Sequence, residues 1–598
     1  MNSSILLSAV ALFFYTLTFL FFVRLLTWKR YSTNQIWNRK KKITLSDLYY
    51  ISNHQGKKLP KISVMIPARD ESAVIAQTIE NLLRIDYPKE LFEIIIITDS
   101  REELIRTEKI ASLLSQWESY LPDHPQQLSQ DSRNQFQMFR LSIEPCGDFY
   151  YRLYVEYGSE IDPVASQDLI LNKLKIIAEK SLIRYLSKSA SLHANIQISL
   201  RTEFPFTDRK ILEKLVPRYE KLLQSFLVSF QFKFQPADIQ TALDNFLPST
   251  KQVALKWKEK AINSGLTVRV LEVPVAYDGT MPDAESGQSA PSTKGRALNY
   301  AINHLDADVQ IVGFYDAESR PDPEVLLYVA SEYLHHGENL PILQGPLFQV
   351  RNFYSLGLVS KLGGLFKAVS HDWYLPIIFK TIPFVGGTNL FVRKSLLLSV
   401  NGFDPASLTE DLDFGVRSYL KTGTKVEFLP VISTEQTPPK LQQYFIQRLR
   451  WASGHLEVMS KIKKHRVLYL NLLLKGPVEW VAYQASGLVV IAININFILS
   501  KLHLVQPNFM IHNPYLVYGF AFLNVPYLFF SVYCLNRYEY TFDQNLRAFN
   551  TFPVLEWLKL IISSMLIFLL PLPYTWAIIL RIFGRQPRRW VKTERSIE

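Results

Sequence analysis

The sequence predicts an α/β domain on a mostly parallel sheet, interrupted by a mostly helical insertion and accompanied by transmembrane α-helices. Three observations predict it. Short apolar runs of strand type alternate with helical periodicity on both sides of a long polar stretch. Two of those runs end on acids. Apolar segments long enough to cross a bilayer gather at the two ends of the 598 residues. A chain of this length exceeds one ordinary core, so several structural units are expected.

The first element is Ile5 to Leu26, apolar apart from Arg24 near its far end. A secretory leader carries basic residues before its apolar run and small ones after it, whereas MNSS precedes this run and RLLTWKR follows. Residues 1–28 therefore read as a retained anchor. Lys29, Arg30, Arg39, Lys40, Lys41 and Lys42 follow it in a basic linker over 29–60, and the positive-inside rule puts the next domain in the cytosol, on a cell or plasma membrane. At the other end Val478 to Leu499, Tyr515 to Leu535 and Val554 to Ile582 are apolar, within a membrane region over 476–584 and before a basic tail over 585–598. Pro571 and Pro573 are expected to break the last segment, leaving a hairpin or a span plus an interfacial helix. The net charge of +12 gathers beside these segments, which points to membrane lipids and away from nucleic acid. Cys146 and Cys534 fall in different regions and support neither a disulfide framework nor a zinc site.

The polar part opens with KISVMIP from Lys61, a strand; Val74, Ile75, Ile79, Leu82 and Leu83 then carry helical spacing, and FEIIIITD from Phe92 is a second strand ending on Asp99. Strand, helix and strand in this order make a parallel unit, in which ligands bind beyond the strands' carboxyl ends. Residues 101–263 read as a mostly helical insertion, from the periodicity of LILNKLKIIAEKSLIRYL and KILEKLVPRYEKLLQSFL. The alternating rhythm resumes with LTVRVLEVP, a strand, TKGRALNYAINHL, a turn and helix, and VQIVGFYDAES, a strand ending on acids.

Asp316 and Glu318, two residues apart, share one side of a strand that runs through them. A polar turn before Pro321 and Pro323 is the plain explanation; the chemical one is a pair of oxygen ligands for a hard divalent cation on a diphosphate. Gln447, Arg450 and Trp451 lie within one helical turn, so an amide, a guanidinium and an indole converge, although an interfacial helix also favours Trp and a snorkelling Arg. In LTEDLDFGVR, Glu410, Asp411 and Asp413 crowd the start of a helix whose apolar face is Leu412, Val416, Tyr419 and Leu420. Thr409 can cap it and Gly423 can end it, and first-turn acids are stabilised by the unpaired amides there.

IPARDES, TD at Asp99, KGRALN, DAES, PFVGGTNLFVR, TED and QRLRW, in this order and flanked by apolar segments, resemble the family 2 membrane glycosyltransferases, which include cellulose, chitin and hyaluronan synthases and bacterial exopolysaccharide enzymes. The resemblance covers about half the chain and leaves the insertion aside. It implies a GT-A nucleotide-sugar transferase domain over 61–100 and 264–475. It implies that Pro67, Ala68, Glu71 and Lys294 line a nucleotide-sugar pocket, that Asp99 touches the base or ribose, and that Asp316 and Glu318 hold Mg2+ or Mn2+ on the donor diphosphate. Glu318 stands where the family has Asp. Asp411 becomes the general base, held ionised by the helix dipole, with Glu410 its partner and Asp413 a solvated acid; Gln447, Arg450 and Trp451 lie near the acceptor and the diphosphate.

The implied activity is inverting, metal-dependent hexosyl transfer from a nucleotide-diphospho sugar, with UDP-hexose as the donor, to a growing β-linked polysaccharide that could be translocated. PFVGGTNLF and SHDWYLP are expected to shape the acceptor's way in. Single transfer to a membrane lipid and a non-catalytic scaffold are the alternatives. The insertion's lysine-rich helices suit an accessory protein or the membrane surface.

Overall fold

The computed structural model describes residues 3–108, 139–145, 150–157, 199–202, 248–281, 291–504, 529–546, 553–564 and 566–587. The chain divides into two compact units, one made of Met1–Ser100 with Thr250–Glu598 and the other of Arg101–Ser249.

In the first unit β1 (Ile62–Pro67) and β2 (Phe92–Asp99) pair in parallel, joined through the helix Ile75–Leu83. All of β2 is buried, as expected of an apolar run with no alternation, because helices cover both faces of a parallel sheet. Its side chains divide by parity: Ile94 and Ile96 join one core with Val64, Ile66 and Ile79, while Ile95 and Ile97 join another with Met65, Leu298 and Phe314.

The second unit contributes β3 (Phe139–Pro145), β4 (Tyr150–Tyr157) and β5 (Ser199–Thr202), a sheet in which β4 runs antiparallel to β3 and parallel to β5. The expected insertion differs from this in two respects. The strands were not anticipated, and the helix Thr250–Ile262 belongs to the first unit, where Ala254 and Ala261 pack into the Ile79 core. The periodic segments on which the helical reading rested, residues 169–186 and 210–227, lie outside the described residues.

The first unit resumes with β6 (Thr267–Val273), β7 (Ile311–Phe314), β8 (Arg320–Pro321), β9 (Ile342–Gln344), β10 (Leu347–Phe348), β11 (Leu390–Arg393), β12 (Val426–Phe428) and β13 (Ser433–Thr434). The main sheet has seven strands in the order β12-β9-β11-β7-β1-β2-β6. It is mostly parallel, with β11 antiparallel to both of its neighbours. Since β7, β1 and β2 are adjacent and parallel, Asp99 and the residues after Phe314 leave the sheet at the same edge.

The helix Ser3–Gln35 is continuous for 33 residues. Among the described residues one stretch, Leu12–Arg39, is long and apolar enough to cross a membrane, or two stretches are if the bent pair Val554–Ser564 and Ile567–Ile582 is one span. Of the four apolar segments read from the sequence, Val478 to Leu499 is not among these stretches, and Tyr515 to Leu535 falls mostly outside the described residues. Glu479–Lys501 is one helix of 23 residues, and Arg24 of the first helix donates to Glu479 at 2.9 Å and to the Tyr483 hydroxyl. Most of Tyr515 to Leu535, the tail from residue 588, and Cys146 lie outside the described residues. The bent pair turns by 59°. The break precedes the prolines: Pro571 is the N-cap and Pro573 sits in the first turn of Leu572–Ile582, where a missing amide costs nothing.

Candidate active site

A cavity of about 410 Å³ opens at the carboxyl edge of the sheet. Pro67, Ala68, Glu71, Asp99, Lys294, Asp316, Glu318, Glu410, Asp411, Gln447, Arg450 and Trp451 all line it, so every side chain singled out in the sequence for the nucleotide, metal, base or acceptor reaches one place.

Lys294 joins several of these groups. Thr293 caps the helix Lys294–Asn303 by accepting from the Arg296 amide at 3.2 Å, which fixes Lys294 as the first helical residue. Its ammonium donates to the Asp316 carboxylate and, at 2.7 Å, to the Gly387 carbonyl. Gly387 lets these groups meet: a Cβ there would lie 2.8 Å from Lys294 Nζ and 3.2 Å from Asp411 Oδ2. Burial works against the Lys294 charge, but Asp316, Glu410 and Asp411 outweigh it and hold the ammonium above its ordinary range.

Asp99 takes a different neighbour. Arg296, fully buried, donates to it at 3.1 Å and to the Tyr277 carbonyl at 2.7 Å. Arg296 was not singled out in KGRALN, since its position within the helix is that of an ordinary surface cation.

Asp316 and Glu318 are not on the strand, so the same-side argument fails. The strand ends at Phe314, and a turn follows in which the Asp316 amide donates to Ser319 Oγ at 3.1 Å while the Ser319 amide returns a bond to the Asp316 carbonyl at 3.0 Å. Glu435 accepts from the same Ser319 hydroxyl at 2.5 Å and also lines the cavity. No spacing in STEQTPPK marks Glu435 out. Among the described residues no group of three or more His, Cys, Asp or Glu side chains could hold a metal ion. Asp316 and Glu318 still fit Mg2+ or Mn2+ in donor type, because such an ion on a nucleotide needs one or two carboxylates and completes its shell with phosphate and water.

The acidic helix runs Glu410–Thr422 and ends at Gly423, whose φ of 71° is the left-handed conformation that glycine adopts freely. Thr409 stands at the N-cap without a capping bond from its side chain; instead Asp411 Oδ1 accepts from the Leu412 amide at 2.8 Å. Asp413 is not solvated as expected. It is buried, and accepts from Arg417 Nε at 2.6 Å and Lys461 Nζ at 3.1 Å. Burial followed by Asp411 pushes Glu410 up to about 7 against the pull of Lys294 and Arg450. Burial also raises Asp411, although the Leu412 amide, Lys294 and Arg450 oppose it. Desolvation thus outweighs the helix-dipole stabilisation expected of Asp411 and raises its proton affinity.

Gln447, Arg450 and Trp451 lie on the helix Leu441–Lys461, which approaches the acidic helix so closely at Gly454 that a Cβ there would meet Thr409 at 2.4 Å. Arg450 Nη1 donates to the Leu408 carbonyl at 2.8 Å and so ties that helix to the turn before Glu410. PFVGGTNLF lines the cavity through Phe384, Gly387 and Thr388, and SHDWYLP through Ser370, His371 and Tyr374.

Residues 311–580 match the model of glycosyl transferase family group 2. The probable glycosyltransferase YdaM of Bacillus subtilis is 27% identical over 202 residues, 31% of this chain and 44% of that protein. A UDP-forming cellulose synthase, the catalytic chain from Dictyostelium discoideum, is 28% identical over 178 residues, 28% of this chain and 16% of that protein. The chain thus spans less than half the length of either relative. Among solved structures, the mannosyltransferase PcManGT from Pyrobaculum calidifontis, in complex with GDP-Man and Mn2+, covers 87% of this chain and 99% of its own at 12% identity, with a TM-score of 0.38.

Proposed function

We propose that this chain, a family 2 glycosyltransferase, is a membrane-bound inverting enzyme that moves a hexose from a nucleotide-diphospho sugar, UDP-hexose in the first instance, to a growing β-linked polysaccharide. The observation that carries the reading is the meeting of Asp411, Lys294, Asp316, Glu318, Arg450 and Trp451 around one cavity.

In this reading the acceptor hydroxyl attacks the anomeric carbon as Asp411 takes its proton, and the bond from that carbon to the diphosphate oxygen breaks. One displacement inverts the centre, so an α-linked donor gives a β-linkage. The raised proton affinity of Asp411 makes it a better proton acceptor. Asp99, Pro67, Ala68 and Glu71 bound the nucleotide end, and Arg450 meets charge arising on the leaving diphosphate. Asp316 and Glu318 would hold Mg2+ or Mn2+, which when bound supplies charge neutralisation on the diphosphate. Gln447 and Trp451 orient the acceptor, and Ser3–Gln35 anchors a cytosolic catalytic unit at the cell membrane, with the C-terminal helices as further membrane elements and a translocation path. The insertion is the place for an accessory protein.

The second reading, a single transfer to a membrane lipid, draws support from the apolar wall that Leu375, Ile378 and Ile382 give the same cavity. Membranes carrying the protein, labelled nucleotide sugars and Mn2+ or Mg2+ separate the two. Nucleotide release with label in ethanol-insoluble material supports polymer synthesis, label in the lipid phase supports the second reading, and a folded protein that turns over no donor overturns both.

A further inference from the structure

We propose that the acceptor carries an anionic group, a phosphate or a carboxylate, and that Lys367 beside Trp451 binds it. The inference rests on the transferase reading, which puts Trp451 on the acceptor side.

Two lysines on the helix Leu358–Val369 show the contrast that carries it. Lys361 is buried and closed by Glu556 at 2.5 Å. Lys367, six residues on, lines the cavity, and its ammonium has no hydrogen bond or salt bridge among the described residues; it sits 4.8 Å over the Trp451 ring. The same indole carries the Arg448 guanidinium at 4.0 Å, 1% exposed, whose Nη2 reaches only the neutral Gln349 amide oxygen at 3.2 Å while Nη1 has no partner among the described residues. Tyr444 offers Arg448 a second ring at 4.9 Å. The acids that act on Lys367 are Asp411 and Glu435, and Glu435 already accepts from Ser319 and Gln349.

Two cations therefore share one aromatic ring with no carboxylate paired to either among the described residues. A ring face offers a cation only its quadrupole, whereas an oxyanion gives a charge-assisted hydrogen bond in addition to its charge. Burial and then Arg448 press Lys367 down to about 7, the direction expected of a cation short of a counter-ion, and an arriving anion would reverse it.

The test uses the full chain in lipid nanodiscs with the donor that the labelled nucleotide sugars identify, and octyl glucoside and octyl glucuronide as matched acceptors differing only in the carboxylate. Octyl phosphate as a competitor separates phosphate from carboxylate recognition. The wild type is expected to use the glucuronide, or to be inhibited by octyl phosphate, at a concentration roughly ten-fold below that needed of the glucoside. Lys367→Gln should erase the preference through acceptor KM rather than donor KM, and Lys367→Arg should keep it. A wild type that treats all probes alike overturns the inference, as does a folded Lys367→Gln that retains the preference or loses affinity for the donor instead. Normal nucleotide release with indifferent acceptor use would sink this inference and leave the transferase reading standing, whereas no release from any donor removes both.

Discussion

Asp411 and Asp413 stand two residues apart on one helix and are turned about 200° from each other about its axis. They have opposite surroundings. Asp413 faces the protein, buried, with a carboxylate oxygen each for Arg417 and Lys461. Asp411 faces the cavity, spends one oxygen on the Leu412 amide, and shares Lys294 with Asp316 and Glu410. A buried acid with its own cations is a structural element. Burial raises the proton affinity of Asp411 and Glu410 beyond what the nearby cations offset, which is what a proton acceptor needs.

The largest expected effect tests the chemical side. Asp411→Asn should lower nucleotide release and sugar transfer by about 10²–10⁴-fold while a fluorescent nucleotide still binds; activity like the wild type's would reduce Asp411 to a helix acid. Lys294→Met should come next, with roughly 10²-fold less transfer and an acid limb moved to higher pH, because losing a cation raises the neighbouring carboxylates further. The pH–rate profile reads both. Gly387→Ala is a gentler probe, since its Cβ meets the flexible end of Lys294; transfer should fall about ten-fold with little change in melting temperature.

Glu410→Gln sharpens the coupling. In the wild type the base is protonated at low pH, so transfer should rise with pH toward the region near 7 in which Glu410 titrates. Removing the Glu410 charge should lower the proton affinity of Asp411 and move that limb to lower pH. Asp413→Asn breaks the structural side. Its partners are more than a third exposed in one case and nearly so in the other, so the loss should be about 1 kcal/mol, seen as a melting shift with transfer within about two-fold of wild type. A larger loss of transfer than of stability would erase the distinction between the two acids.

The strands were legible because Ile94 to Ile97 and Val64 to Ile66 admit no polar side chain, and the ends of the acidic helix because Gly423 marks the left-handed stop. Asp413 was misjudged because periodicity shows which face of a helix is apolar and says nothing of Lys461, which comes from another helix. Glu435, Arg296 and Lys367 were passed over for a related reason: each belongs to a segment whose partners are remote in the chain. The strands β3 to β5 carried no signal strong enough to displace the helical reading around them.

Local sequence, then, determined which residue types stand at the ends of which strands, since alternation, apolar runs and glycine stops act over a few residues. It also determined the order of the motifs. Tertiary structure alone decided how charge is shared, because the fate of an acid depends on which cations reach it and how much water is excluded, and both are set by packing between segments such as 294, 316, 387 and 411 that meet only in the folded chain.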